Sequence, residues 1–290
     1  MRSSAVFSTA LLTMLLLALN GCVVDVEEAL GEFDPAYFSR EEPLESTTSL
    51  KAEVNLGLGN LKVADSDEEM LFELDIEYNG NSDKPEVDFS REGNSARLRV
   101  DLEGKKGSGW WGDDNRIDLL ISPGAGLDAR LITGVGENIV DLSELRVETL
   151  EIVNGVGSTE IYKDKPNEVE CSSVEVTNGI GHLEMTGLGN YAFEDFSFHG
   201  GIGESTLDFS GEWKSVGDIQ IKVGLGSLKV ILPEELGVRI RSSKSFLSNI
   251  EMPDFDQIGN EYLSRNIEDA EKEISINLNT GIGEVRFIRE

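Results

Sequence analysis

Few side chains in this sequence could do chemistry, and they are poorly placed to act together. The 290-residue chain contains only two histidines and two cysteines. His182 and His199 are separated in sequence, and no serine lies in a nucleophile-elbow motif. Zinc sites are built mainly from cysteine and histidine ligands, and this chain offers no such set. The sequence therefore predicts no metal site, no cofactor and no enzyme activity.

Two adjacent tryptophans form the most conspicuous candidate ligand contact. Trp110 and Trp111 lie in the glycine-rich segment GKKGSGWWGDDN. Aromatic faces stack on sugars and pack against protein partners, so exposure of one tryptophan would indicate a binding loop. The alternative is a loop that folds back and covers the core with its tryptophans buried.

The N-terminus predicts export and anchoring. Arg2 precedes an apolar stretch, Ala10 to Leu19, that is too short to cross a membrane but has the length of a signal-peptide core. It leads into Leu19-Asn20-Gly21-Cys22, which resembles the lipobox of bacterial lipoproteins. That resemblance implies lipidation of Cys22 and attachment of the chain to a membrane through lipid. We expect an extracytoplasmic, membrane-anchored protein, on the outer membrane of a two-membrane cell or otherwise on the cell surface.

Charge restricts the partners. The chain has 55 acidic and 25 basic residues, a net charge of −30. Nucleic acid binding requires a basic footprint, so nucleic acid is excluded as a partner. We interpret the acidity as a solvated surface that keeps the protein soluble, the alternative being a cation-binding surface.

Once Cys22 is lipidated only Cys171 remains, and we expect it to be buried and unreactive rather than a reactive thiol.

A repeated glycine motif predicts how these residues are positioned. The pattern Gly-aliphatic-Gly followed by strand residues starts at Gly57, Gly134, Gly155, Gly179, Gly201, Gly224 and Gly281. Its middle five copies are 21 to 24 residues apart, which indicates a β-solenoid of stacked coils. A phosphate-binding loop would be followed by a helix, whereas strand residues follow each copy here.

The motif also predicts individual orientations. We expect the glycines to supply positive φ or close backbone approach at a corner, with Asn154 and Asn178 tolerating the left-handed region. We expect the residue between the glycines to point inward and to stack from coil to coil; these residues are Val135, Val156, Ile180, Ile202 and Leu225. His182 and His199 should point outward. Asp141 and Asp208 are too far apart to share a catalytic or calcium site and should each cap a turn.

The complete pattern predicts an all-β chain, a β-solenoid of ~22-residue coils with an N-terminal antiparallel β-rich cap. The expected parts are a signal peptide (1–21), a lipidated cysteine and acidic tether (22–49), a β-rich part (50–130) and the solenoid with a closing coil (131–290).

Several short sequence motifs resemble those of the toast-rack family of bacterial extracytoplasmic domains. They are LGLGNL at 56–61, Lys84-Pro85-Glu86-Val87, the GVGE and DLS phrase from Gly134 to Ser143, and the closing NTGIGEV. The family is related to adhesin-like domains and to the C-terminal domain of cell-wall-active antibiotic response proteins. The resemblance implies a β-solenoid and no catalytic residues. We therefore expect a non-catalytic envelope scaffold that binds a protein partner, or alternatively an adhesin that binds a cell-wall or other glycan.

Overall fold

The computed structural model describes residues 34–81, 84–102, 115–215, 217–244 and 248–290, which form one sheet of 17 strands. One 3-10 turn, Leu188–Asn190, accompanies them. The strands are β1 Pro35–Pro43, β2 Ser49–Leu58, β3 Asn60–Asp65, β4 Met70–Asn79, β5 Glu86–Glu92, β6 Ser95–Leu102, β7 Arg116–Ile121, β8 Gly126–Asp141, β9 Arg146–Tyr162, β10 Cys171–Thr186, β11 Phe193–Asp208, β12 Asp218–Leu232, β13 Gly237–Lys244, β14 Ser248–Glu251, β15 Phe255–Ile258, β16 Glu261–Ser264 and β17 Glu273–Arg289.

Six long strands stack in parallel and form the solenoid. The order is β8, β9, β10, β11, β12 and β17, each in register with the next along both halves of its length. Each strand passes through a Gly-aliphatic-Gly corner at its middle, so every coil consists of two arms. The predicted all-β solenoid is confirmed.

The N-terminal part extends the same stack and also carries antiparallel pairs. β2 and β3 flank the corner at Gly57 to Gly59 and pair in parallel with β8. β6 and β7 pair in parallel with β2 and β3 and form the next level outward. The antiparallel pairs are β1 with β4, β4 with β7, and β5 with β6. The sheet therefore runs continuously across residue 130.

One part of the predicted tether is a strand. β1, Pro35–Pro43, lies at the N-terminal end of the stack and pairs along its length with β4. Its side chains alternate between exposed and half-buried positions, and prolines stand at both ends. An edge strand suits this sequence because proline and charged side chains discourage further pairing. The tether prediction is therefore wrong for residues 35–43.

The C-terminal end is closed by shorter strands. β13 and β14 pair in parallel with the two arms of β17, and β15 and β16 form a hairpin beside β13. Between the arms lies one continuous apolar core made of alternate residues of each strand. Opposite the glycine corners, turns connect each long strand to the next, and we call this the turn side of the coils. Four aromatic side chains pack there as successive pairs; they are Phe193, Phe196, Phe209 and Trp213.

Candidate interaction surface

The corner of each coil requires glycine at both ends of the motif. A Cβ on Gly179 would lie 2.3 Å from the carbonyl oxygen of Gly155 in the preceding coil. Gly181 has φ +138°, and a Cβ there would lie 1.9 Å from the carbonyl oxygen of Gly157. Both positions therefore need close backbone approach, and the second also needs positive φ. This part of the sequence prediction is confirmed.

The residue between the glycines points outward, so the predicted inward column is wrong. Relative exposure is 38% for Val135, 42% for Val156, and 49% each for Ile180, Ile202 and Leu225. Ile282, in the last copy of the motif, is 48% exposed. The corner turns the chain around the core, so its middle residue lies on the convex side of the bend.

The burial pattern of β10 shows why the direction changes. Before the corner the inward residues are even-numbered, Val174, Val176 and Asn178, whereas after it they are odd-numbered, Leu183 and Met185. A single alternation cannot connect these two sets, since strand side chains alternate with a period of two. The residues at the bend absorb the shift, and Ile180 is left outside. This change of parity is visible in the sequence and could have revealed the exposed position.

In the coils of β8, β9 and β10 the inside of the corner is polar. Asn178 is buried and accepts a hydrogen bond at Oδ1 from Asn154 Nδ2 at 2.9 Å. In the neighbouring coil, Asn138 donates to the Thr159 hydroxyl at 3.0 Å and accepts from the Thr133 hydroxyl at 2.8 Å. Asn154 and Asn178 lie within strands and do not adopt positive φ, so their predicted left-handed role is wrong. Their amides instead join successive coils, which keeps buried polar groups satisfied.

The corner residues form a continuous line that we call the ridge. Its members occupy the same register position in seven successive coils; they are the half-buried Leu58 and the exposed Val135, Val156, Ile180, Ile202, Leu225 and Ile282. At about 4.8 Å between strands, the ridge is roughly 29 Å long. Scattered exposed aliphatic residues need no explanation, but a contiguous apolar stripe marks an interaction surface.

The two sides of the ridge differ in charge. On the side that precedes the corner, the leading flank contains no acidic residue; it consists of Asn55, Ile132, Val153, Thr177, His199, Lys222 and Asn279. On the other side, the trailing flank carries three glutamates; it consists of Glu137, Ser158, His182, Glu204, Ser227 and Glu284. Within the described residues, neither Lys222 nor the three glutamates form an ion pair.

The remaining polar candidates are placed as expected. His182 and His199 are exposed, one on each flank of the ridge in adjacent coils. Asp141 Oδ1 accepts from the Ser143 backbone amide at 3.0 Å, and Asp208 Oδ1 accepts from the Ser210 amide at 2.8 Å. Each aspartate therefore caps the turn that follows its strand.

Three titratable groups are buried on the turn side, away from the ridge. Burial raises the pKa of the Cys171 thiol to about 12 and raises the pKa of Tyr191 well above its ordinary value. Burial lowers the pKa of Lys163 to about 8, although its Nζ donates to the carbonyl oxygens of Leu145 at 2.9 Å and Ser143 at 3.3 Å. A neutral, buried thiol is a poor nucleophile, which agrees with the expectation for Cys171.

A cavity of about 510 Å³ also opens on the turn side. Trp213 and Leu236 line it together with four acidic residues, Glu212, Glu235, Asp269 and Glu271. Of the residues that the structure describes, no histidine, cysteine or serine contributes to its lining. Across the described residues, no group of three or more His, Cys, Asp or Glu side chains is arranged to hold a metal ion.

Two sequence-predicted sites lie outside the described residues. They are the lipidation site, Cys22, and the candidate ligand contact, Trp110 and Trp111. In the part of the chain that the structure covers, no helix has the length and apolarity needed to cross a membrane.

Several solved structures match the chain along most of its length. A putative cell adhesion protein from Clostridium sporogenes is 19% identical, with a TM-score of 0.48 over 89% of this chain and 100% of that chain. A putative adhesin from Bacteroides fragilis is 13% identical, with a TM-score of 0.34 over 89% and 99%. One from Parabacteroides distasonis is 11% identical, with a TM-score of 0.27 over 89% and 99%. No curated protein matches the chain.

Two family domains cover the solenoid. The C-terminal domain of the cell wall-active antibiotics response protein LiaF matches residues 179–287. The N-terminal domain of toast_rack matches residues 32–186, more than half of the chain. That match includes the first four copies of the glycine motif and the strands on which they lie. The chain belongs to the toast-rack family.

Proposed function

We propose that this protein is a non-catalytic, lipid-anchored module of the cell envelope that binds a protein partner along the ridge. The ridge is the observation that carries the proposal, because it places an aliphatic side chain at the same register position in seven successive coils and exposes it in six of them. The match to a cell wall-active antibiotics response domain supports a place at the envelope. The alternative, a glycan-binding adhesin, depends on Trp110 and Trp111 and stays a prediction.

The proposed anchor would hold the solenoid close to the membrane. Twelve residues separate Cys22 from Pro35, the first residue of β1. Fully extended, they span at most about 43 Å. β1 lies at the N-terminal end of the stack, so that end would face the membrane and the ridge would extend away from it.

Lipidation of Cys22 predicts that a clickable fatty acid labels the wild-type chain in cells and does not label Cys22→Ala. A chain with two or more acyl groups stays stably bound to a membrane, so the wild type should sediment with membranes while the variant is released. Equal labelling of both proteins would contradict the anchor.

Partner binding at the ridge can be tested by photo-cross-linking in cells. A photoreactive amino acid in place of Ile180 should cross-link the chain to a protein. The same substitution at Glu175 gives a matched control, because Glu175 is exposed on the same strand but lies away from the corner. Cross-links of equal yield at both positions, or none at Ile180, would refute the ridge as the binding surface.

A further inference from the structure

We propose that the partner of the ridge is a second copy of this chain, and that the two ridges pack side by side in the same direction. This inference rests on the proposed function and names the partner for the same surface. The ridge carries an aliphatic side chain at every level, so it is complementary to itself. A two-fold axis parallel to the ridge would place each ridge residue against its own counterpart, as in other symmetric dimers.

Charge favours this parallel arrangement over the antiparallel one. A two-fold axis along the ridge brings the leading flank of one copy against the trailing flank of the other. His199 then faces Glu204 of the second copy, since both residues belong to β11. Lys222 lies one coil from Glu204 and one coil from Glu284, so its long side chain can reach either carboxylate. These carboxylates have no ion pair with the described residues of their own chain.

An antiparallel pair lacks this complementarity. With the two ridges running in opposite directions, like flanks face each other, and the trailing flanks of the two copies would line one groove. That groove would contain six glutamates, Glu137, Glu204 and Glu284 from each copy. Lys222 and His199 would then lie in the opposite groove, away from any of them. Like charges in close apposition are a strong bar to association.

The width of the ridge predicts a weak dimer that depends on the membrane. A stripe one side chain wide buries less than the ~800 Å² per partner of a standard interface. Parallel packing places residue 34 of both copies at the same end, so both could be attached to one membrane through Cys22. Attachment to a shared surface raises the effective concentration of each copy for the other. We therefore expect dimers chiefly where the chain is anchored.

Cysteine cross-linking of the full-length chain in cells tests the geometry. Val135 lies in the second coil of the ridge and Leu225 in the sixth. With a short thiol-specific cross-linker, parallel packing predicts dimers from Val135→Cys alone and from Leu225→Cys alone. Antiparallel packing predicts dimers only when the two variants are co-expressed. Glu175→Cys, exposed but away from the ridge, should stay monomeric, and the buried Cys171 should not react.

Second-site changes test the contacts. Adding Ile180→Thr and Ile202→Thr to Val135→Cys should reduce the dimer at least fivefold without lowering the melting temperature, because both side chains are half exposed and threonine keeps the β-branch. Lys222→Glu should also reduce it, and adding Glu204→Lys should restore part of the loss. An unchanged dimer yield in these variants would overturn the proposal.

The outcomes separate this inference from the proposed function. If the photoreactive group at Ile180 captures a different protein and Val135→Cys gives no dimer, the ridge still binds a partner but the second copy is refuted. If the group at Ile180 captures only lipid, or nothing, both proposals fail. A cross-linked band of twice the chain mass, together with dimers from each single cysteine variant, supports both.

Discussion

Replacing Gly181 with alanine is expected to destabilise the protein by about 3–5 kcal/mol, because two independent penalties act at this position. Its φ of +138° lies where residues with a Cβ are strained, at about 1–3 kcal/mol. The new Cβ would also lie 1.9 Å from the Gly157 carbonyl oxygen, and backbone cannot move aside as a side chain would. Overpacking of this kind adds about 1–3 kcal/mol. Urea unfolding followed by circular dichroism measures the change.

Gly93→Ala is the matched control for that substitution. Gly93 also has positive φ, +60°, but a Cβ added there would have no atom within 4 Å. Only the conformational penalty remains, which is about 1–2 kcal/mol for a left-handed residue. If both substitutions reduced stability equally, close packing between successive corners would not be what excludes a side chain at Gly181.

Buried Lys163 is expected to make the protein more stable as the pH rises above 8. Its pKa is about 8 in the folded protein, below its ordinary value of 10.5. Between these values the folded protein has released the proton while the unfolded chain keeps it. Stability rises with pH wherever the unfolded state binds more protons, and the full effect is about 3 kcal/mol. Lys163→Met should abolish the rise, as measured by urea unfolding at pH 7 to 10.5.

Buried Cys171 has the opposite effect on the pH dependence of stability, and it limits the pH range in which the effect of Lys163 can be measured. Its folded pKa of about 12 lies above the ordinary value of 9.0, so above pH 9 the unfolded chain loses a proton that the folded protein retains. Stability from this group is complete below pH 9 and declines above it. The rise due to Lys163 should therefore be clearest between pH 8 and 9, and it should continue further in Cys171→Ala. A wild type with no rise between pH 8 and 9 would contradict a lowered pKa of Lys163 in the folded protein.

Repetition explains what could be predicted from the sequence. The spacing of the glycine motif and the alternation of apolar residues on both sides of it indicate stacked coils without any knowledge of long-range contacts. The outward positions of His182 and His199 follow from the same alternation. Turn caps at Asp141 and Asp208 follow from local hydrogen bonding between an aspartate and the backbone two residues later.

The orientation of the corner residue could not be obtained by extending that alternation. A strand has a fixed period, but a bend changes which side of the chain faces the core, and Ile180 sits at the point of change. The strand β1 could not be predicted from the sequence for a different reason. Its side chains alternate only between exposed and half-buried, so the sequence of an edge strand carries no apolar period. Its place is decided by pairing with β4, which is distant in sequence.

The corners have a fixed geometry, so the number of coils determines the length of the solenoid along the stack. In the seven coils that carry it, the corner uses the same three-residue motif, whereas the turns on the opposite side vary, from the short link after Asp141 to the longer one between Tyr162 and Cys171. Between these coils, insertions are therefore tolerated on the turn side and excluded at the corner. Duplication of one complete coil would lengthen the protein by about 4.8 Å and leave each existing interface between coils unchanged. In a chain attached at its N-terminal end, gain or loss of coils would adjust its reach from the membrane in equal steps.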